Sequence, residues 1–185
     1  QNWSVEARIY AEDPSRGFLP SIGQLRCYQE PQGLGIRVDA GITEGGSISM
    51  FYDPMVSKLI ATAPTRAEAI DRLLLALVHY QIYGVSTNQQ FLSAILSDED
   101  FRNGVMRTGF IAEKFGDNFV ARVPEGPLME ALMALGVAIH ARRLSNRYHG
   151  CDPDMRFAVC RSDGDDQSPY LMQWRTDMHG GIVSF

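Results

Sequence analysis

At 185 residues, 45% of them hydrophobic, the chain is long enough to bury a sizeable core and to hold one ordinary domain or two small ones. Its formal net charge of −5 is spread over mixed-sign stretches without a Lys/Arg cluster or an interleaved aromatic and basic stripe, which speaks against a nucleic-acid partner. The longest apolar run, residues 73–78, is far shorter than the roughly 20 residues that span a bilayer, and no signal-peptide pattern opens the chain, so no membrane partner is expected.

From Trp3 to Tyr10, Trp3, Val5, Ala7 and Ile9 alternate with polar residues, the period-two signal of a half-buried strand that sets Arg8 on the polar face. Residues 13–23 carry Pro14, Gly17, Pro20 and Gly23 and are expected to form a loop. Short strands are predicted at 24–28, 36–40, 48–51 and 58–63, with Gly33/Gly35, Gly45/Gly46 and Asp53/Pro54 between them, the spacing of an antiparallel meander. At Thr65 the period changes. Thr65 and Glu68 form a capping-box pattern, Ala69, Ile70, Leu73, Leu74, Leu77 and Val78 share one helical face, and Gly84 is the expected terminator. Shorter helices are predicted at 89–96 and 108–115.

Residues 116–126 break the helical period and mark the expected boundary between a first domain, 1–116, and a second, 117–185. Pro127 then opens a long helix with an apolar stripe of Leu128, Leu132, Leu135 and Ile139, closed by Arg142, Arg143, Arg147 and Gly150. Strands follow at 155–161, 170–176 and 181–185, with a turn at 162–168. The expected fold class is α+β: an antiparallel sheet with helices, then a helix followed by strands of an incomplete barrel-like domain. Both ends are expected to be cut, because strand-like patterns run up to residue 1 and to residue 185.

No complete catalytic constellation is visible. Gly33/Gly35 and Gly45/Gly46 lack the spacing and the strand-to-helix context of a phosphate loop, and His79, His140, His149 and His179 lack metal-ligand spacing, so no metal site is assigned. Cys27, Cys151 and Cys160 match neither a disulfide framework nor a four-ligand zinc site, and a reducing compartment is expected. From strand position alone, Arg8 pairs with Glu6, Glu12 or Asp13 on a solvated face.

The segment VEARIYAEDPSRGFLPS at residues 5–21 resembles the opening of the C-terminal domain of biotin carboxylases. The likeness continues in order through RVDAGI at 37–42, YDPMVSKL at 52–59, TRAEAI at 65–70, GVSTN at 84–88 and TGFI at 108–111. It implies an ATP-dependent ligase reaction in which bicarbonate is activated as carboxyphosphate and the carbon dioxide is captured at a ureido nitrogen of biotin. ATP, Mg²⁺ and most bicarbonate contacts would lie on an ATP-grasp lobe that this sequence does not contain, so the chain alone is expected to be inactive. The resemblance carries over one catalytic residue, Arg8, which in the family reaches bicarbonate and the biotin ureido oxygen. A fixed guanidinium there stabilises the negative charge that develops on that oxygen. Arg37 and Asp53 fall at positions that join two carboxylase lobes in bacterial members, where Leu34 stands at a position often aromatic; an ordinary surface pair and a turn-forming Asp are the alternatives.

The extension after residue 116 resembles in order the domain by which α subunits of the propionyl-CoA carboxylase type dock onto their carboxyltransferase β subunit. No biotin attachment motif of the AMKM type occurs, so biotin would sit on a carrier domain elsewhere in the subunit. The resemblance therefore implies as partners an ATP-grasp lobe, a biotin carrier and a β subunit, in the cytoplasm or the mitochondrial matrix of a eukaryote. A pyruvate or urea carboxylase, and a purely structural docking piece, are the competing readings.

Overall fold

The computed structural model describes residues 2–51, 53–116, 119–120, 126–147, 154–159, 170–177 and 180–184, from residue 141 onward by the backbone alone. The chain forms two compact units, Gln1–Ala121 and Arg122–Phe185. Among the described residues no helix is long and apolar enough to cross a membrane.

The first unit is built on β1 (Trp3–Tyr10), which pairs antiparallel with β8 (Met55–Ala63), which in turn pairs antiparallel with β6 (Ile36–Ala40). The alternation read from the sequence holds: Ala7 and Ile9 are buried, while Glu6 and Arg8 face out. Trp3 is an exception, half exposed at the outer end of the ladder opposite Ala63. The strands are antiparallel as expected, but they do not form a meander, since β1, β8 and β6 are not consecutive in the chain.

Small two-stranded ribbons account for the rest. β2 (Glu12–Asp13) pairs with β3 (Leu19–Pro20) inside the stretch expected to be loop, around a turn at Pro14–Arg16 that Asp13 caps. The strand predicted at 24–28 is two: β4 (Gly23–Gln24) pairs with β7 (Ser47–Ile48), and β5 (Cys27–Gln29) pairs with β9 (Gln81–Tyr83). Between them Leu25 turns fully into the core. Residues 49–51 leave the strand, and Met50 and Phe51 stand exposed.

The helix α1 (Arg66–His79) forms because Thr65 Oγ1 accepts from Glu68 N at 3.2 Å at its start and Ala69, Ile70, Leu73, Ala76 and Leu77 recur on one face. That face packs on β8 and β1, joining Ile9, Val56 and Leu59 in the core. Val78, expected on this face, is exposed, and Ala76 takes its place. Gly84 does not end the helix. The terminus is His79, and Gly84 lies beyond β9 at φ 111°, where a side chain would collide with the Gln24 carbonyl.

Beyond β9 come α2 (Gln89–Ser97), α3 (Glu99–Arg102) and α4 (Phe110–Phe115). The short α3, not expected from periodicity, is held by Arg66, which donates to the Arg102 and Phe101 carbonyls at 2.5 and 2.6 Å and stacks over the Phe101 ring. Phe91 makes edge-on contacts with Phe18, Phe115 and Phe119, so rings from four segments close this side of the core.

In the second unit, α5 (Pro127–Arg147) packs along the antiparallel sheet β10 (Asp154–Val159), β11 (Tyr170–Asp177) and β12 (Gly180–Ser184). Helix-then-strands is the expected order, and the described strands do not close a barrel. Among the described side chains of α5, Met133 and Val137 are buried; Leu128, Leu132, Leu135 and Ile139, expected to face inward, are exposed. The expected turn at 162–168 and Gly150 lie outside the described residues, as do Cys151, Cys160, His149, His179 and the side chains of Arg142, Arg143 and Arg147.

Candidate functional site

One face of the β1–β8–β6 sheet is sealed by α1, and the opposite face is open and charged. Directly opposed residues of antiparallel strands share a face. Arg8 on β1 therefore stands beside Lys58 on β8, which stands beside Asp39 on β6. One rung along, Glu6 lines up with Ile60 and Arg37. The Arg8 side chain is 60% exposed, yet its backbone is fixed by the buried neighbours Ala7 and Ile9.

Of the three carboxylates that could pair with Arg8, Glu6 does so: Arg8 Nε donates to Glu6 Oε1 at 3.1 Å. This hydrogen bond, and next the one with Tyr10, raises the guanidinium pKa above its ordinary value. Asp13 instead accepts from the Ser15 N and Oγ at 3.0 and 2.6 Å. Glu12 is partly buried, and that burial, followed by the charge of Asp53, lifts its carboxyl above the usual range.

Arg37 and Asp53 are engaged locally. Arg37 makes a two-pronged pair with Asp39 on its own strand, both contacts at 2.8 Å, which lowers the Asp39 pKa; its side chain is 72% exposed. Asp53 Oδ1 accepts from Met55 N at 3.0 Å, the turn-forming geometry of an Asp before a proline. Leu34 is 90% exposed. Arg8, Arg37 and Asp39 thus lie on one open sheet face, whereas Asp53 borders the entrance to β8 beside Glu12.

Two neighbours of Arg8 were quoted in the sequence motifs without a role. Lys58 belongs to YDPMVSKL, and its position across the ladder becomes visible only with the β1–β8 register. Asn88 closes GVSTN, is 7% exposed, and reaches β1 from the chain segment before α2: its Oδ1 accepts from Tyr10 N at 3.0 Å and its Nδ2 donates to Arg8 O at 3.1 Å. The sequence offered only an Asn at the end of GVSTN, just before the α2 pattern; its burial and its partners, about eighty residues away, come from the fold.

Among the described residues no group of three or more His, Cys, Asp or Glu is placed to hold a metal. His79 is exposed with Nδ1 2.8 Å from the Leu75 carbonyl. The open sheet face thus offers an anchored guanidinium with a second cation beside it, suited to binding a carboxylate-like or carbonyl oxygen.

The family described as Biotin carboxylase C-terminal domain matches residues 6–113. The chain is 42% identical over 159 residues to the propionyl-CoA carboxylase alpha chain of Ruegeria pomeroyi, a match covering 75% of this chain and 23% of that one. Among solved structures it is similar to the biotin carboxylase domain of a thermophilic 2-oxoglutarate carboxylase bound to bicarbonate, with 44% identity and a TM-score of 0.58 over 60% of this chain and 25% of that one. It is also similar to a complete multifunctional pyruvate carboxylase from Rhizobium etli, with 35% identity and a TM-score of 0.64 over 71% of this chain and 13% of that one. The chain therefore spans about a quarter or less of the length of these relatives. With the motifs in register on this fold and the family match covering more than half of its residues, the chain belongs to the biotin carboxylase C-terminal domain family.

Proposed function

We propose that the chain is the C-terminal lobe of the biotin carboxylase in an acyl-CoA carboxylase α subunit of the propionyl-CoA type, and that Arg8 is its catalytic residue. The observation that carries this reading is Arg8 itself, anchored on a paired strand with its side chain on an open face. Biotin, when bound, supplies the ureido nitrogen that accepts the carboxyl group. Arg8 would hold a fixed positive charge toward the ureido oxygen of biotin and would orient bicarbonate through its N–H donors. Glu6 restrains the guanidinium at Nε. ATP and Mg²⁺ belong to the ATP-grasp lobe, so this chain positions one side of a site completed by another domain.

Arg37 and Asp53 are proposed as assembly residues at a lobe-to-lobe contact, supported by the exposure of Arg37; Leu34, standing where bacterial members often carry an aromatic residue, counts against that contact. The second unit, from about residue 117, is proposed as the start of the domain that docks onto the carboxyltransferase β subunit. Membership of a pyruvate carboxylase is the second reading, favoured by the Rhizobium etli likeness, which extends over 71% of the chain.

The test is an Arg8→Ala substitution in the full-length carboxylase, with the isolated chain as a control expected to hydrolyse no ATP. Biotin carboxylation should fall by about a hundred- to a thousand-fold, the size expected for removing one preorganised electrostatic donor, with ATP affinity unchanged. Normal turnover would remove Arg8 from the mechanism.

A further inference from the structure

We propose that Asn88 is a positioning residue that sets the Arg8 guanidinium by fixing the strand beneath it; the inference rests on the assignment of Arg8 above. β1 pairs with β8 along one edge only, and its register slips between Ile9 and Tyr10, one residue beyond Arg8. Such an irregularity bends a strand and leaves backbone groups without ladder partners. At this point Asn88 covers the other edge. Its side-chain amide accepts from Tyr10 N (3.0 Å) and donates to Arg8 O (3.1 Å), while its own backbone N donates to Tyr10 O (3.2 Å).

An acceptor and a donor that bracket Ile9 in this way reproduce the contacts made by the N–H and C=O of one residue on a neighbouring parallel strand. Asn88 supplies one rung of such a strand where the chain has none. The rung is itself anchored: the side chain is 7% exposed, and the Asn88 carbonyl accepts from Leu92 N at 3.0 Å in the first turn of α2. Gln89 ties the same segment to the end of α1 through its Nε2, 2.9 Å from the Tyr80 carbonyl. Arg8 is thus held from behind by a helix start, and its side chain leaves the strand at a fixed angle toward the open face. Misplacement of a catalytic group by about 1 Å can cost on the order of a hundredfold in rate.

The experiment is a double-substitution cycle in the full-length enzyme: Asn88→Ala, Arg8→Ala and both together, with Asn88→Asp as a companion. Asn88→Asp keeps the acceptor for Tyr10 N and suits the residue before a helix, but it removes the donor to Arg8 O. Each variant is scored for kcat of biotin carboxylation, KM for ATP and Tm. If Asn88 acts through Arg8, both Asn88 variants lose about ten- to a hundredfold in kcat with KM for ATP unchanged, and in the Arg8→Ala background the further loss shrinks below about twofold. A full additional loss in that background, a parallel rise in KM for ATP, or undiminished kcat in the Asn88 variants while Arg8→Ala is crippled, overturns the positioning role and leaves the Arg8 assignment standing. Normal turnover of Arg8→Ala overturns both.

Discussion

At the scale of single residues, the charged groups around β1 divide by what they touch. Arg8 and Glu6 share a solvated pair, Asp13 turns inward on its own loop, and Glu12 is pressed toward Asp53. Because burial and Asp53 raise the Glu12 pKa in the folded chain above its ordinary value of 4.5, folding favours the protonated form. Stability from this group is therefore full below pH 4.5 and is lost as pH rises through the folded value. Glu12→Gln should raise Tm at pH 7, and the gain should vanish below pH 4.5; thermal unfolding at both pH values checks this, and an equal gain at both would contradict it. A second polar chain runs inward: Ser57 Oγ, Tyr80 OH and Tyr28 OH lie 2.7 and 2.6 Å apart in sequence, with Tyr28 OH donating to Glu30. Burial, then the Tyr80 contact, pushes the Tyr28 phenol up. Hydrogen bonding is what makes a buried serine such as Ser57 tolerable in this core.

At the scale of elements, α1 binds the first unit together, since its inner face meets both β8 and β1. Leu73 is fully buried there. Leu73→Ala should destabilise the chain by about 2–5 kcal/mol, read from the urea midpoint at constant m-value, because the rigid sheet beneath cannot collapse into the cavity. A loss below about 1 kcal/mol would mean that α1 is not the main clamp. The long helix α5 shows where periodicity reaches its limit. It carries two apolar rows at helical spacing, one of Leu128, Leu132, Leu135 and Ile139, the other of Met129, Met133 and Val137. Spacing alone does not choose between them, and the structure turns the second inward, burying Met133 and Val137. The split of the 24–28 strand has a similar cause: neighbouring residues there pair with two segments far apart in the chain, β7 and β9.

At the scale of the whole molecule, the acyl-CoA and pyruvate readings differ in what else the polypeptide carries. An antibody raised against this chain, combined with streptavidin on the same blot, separates them. A biotinylated band long enough for carboxylase, docking domain and carrier is the expected result for an α subunit. A much longer biotinylated band would point to a pyruvate or urea carboxylase, and a short unbiotinylated one to a carboxylase acting without these domains.

Much of this protein was determined by local sequence. Alternation placed Arg8 outward on β1, the Thr65 cap and the row from Ala69 to Leu77 set the long helix, and the ordered motifs carried the family, because each depends on residues within a few turns of one another. Tertiary structure alone decided the strand order β1–β8–β6, the neighbourhood of Arg8 with Lys58, the inward row of α5, and the clamp of Asn88 on β1. These depend on pairing between segments up to eighty residues apart, where loop closure and packing, rather than propensity, select the partner.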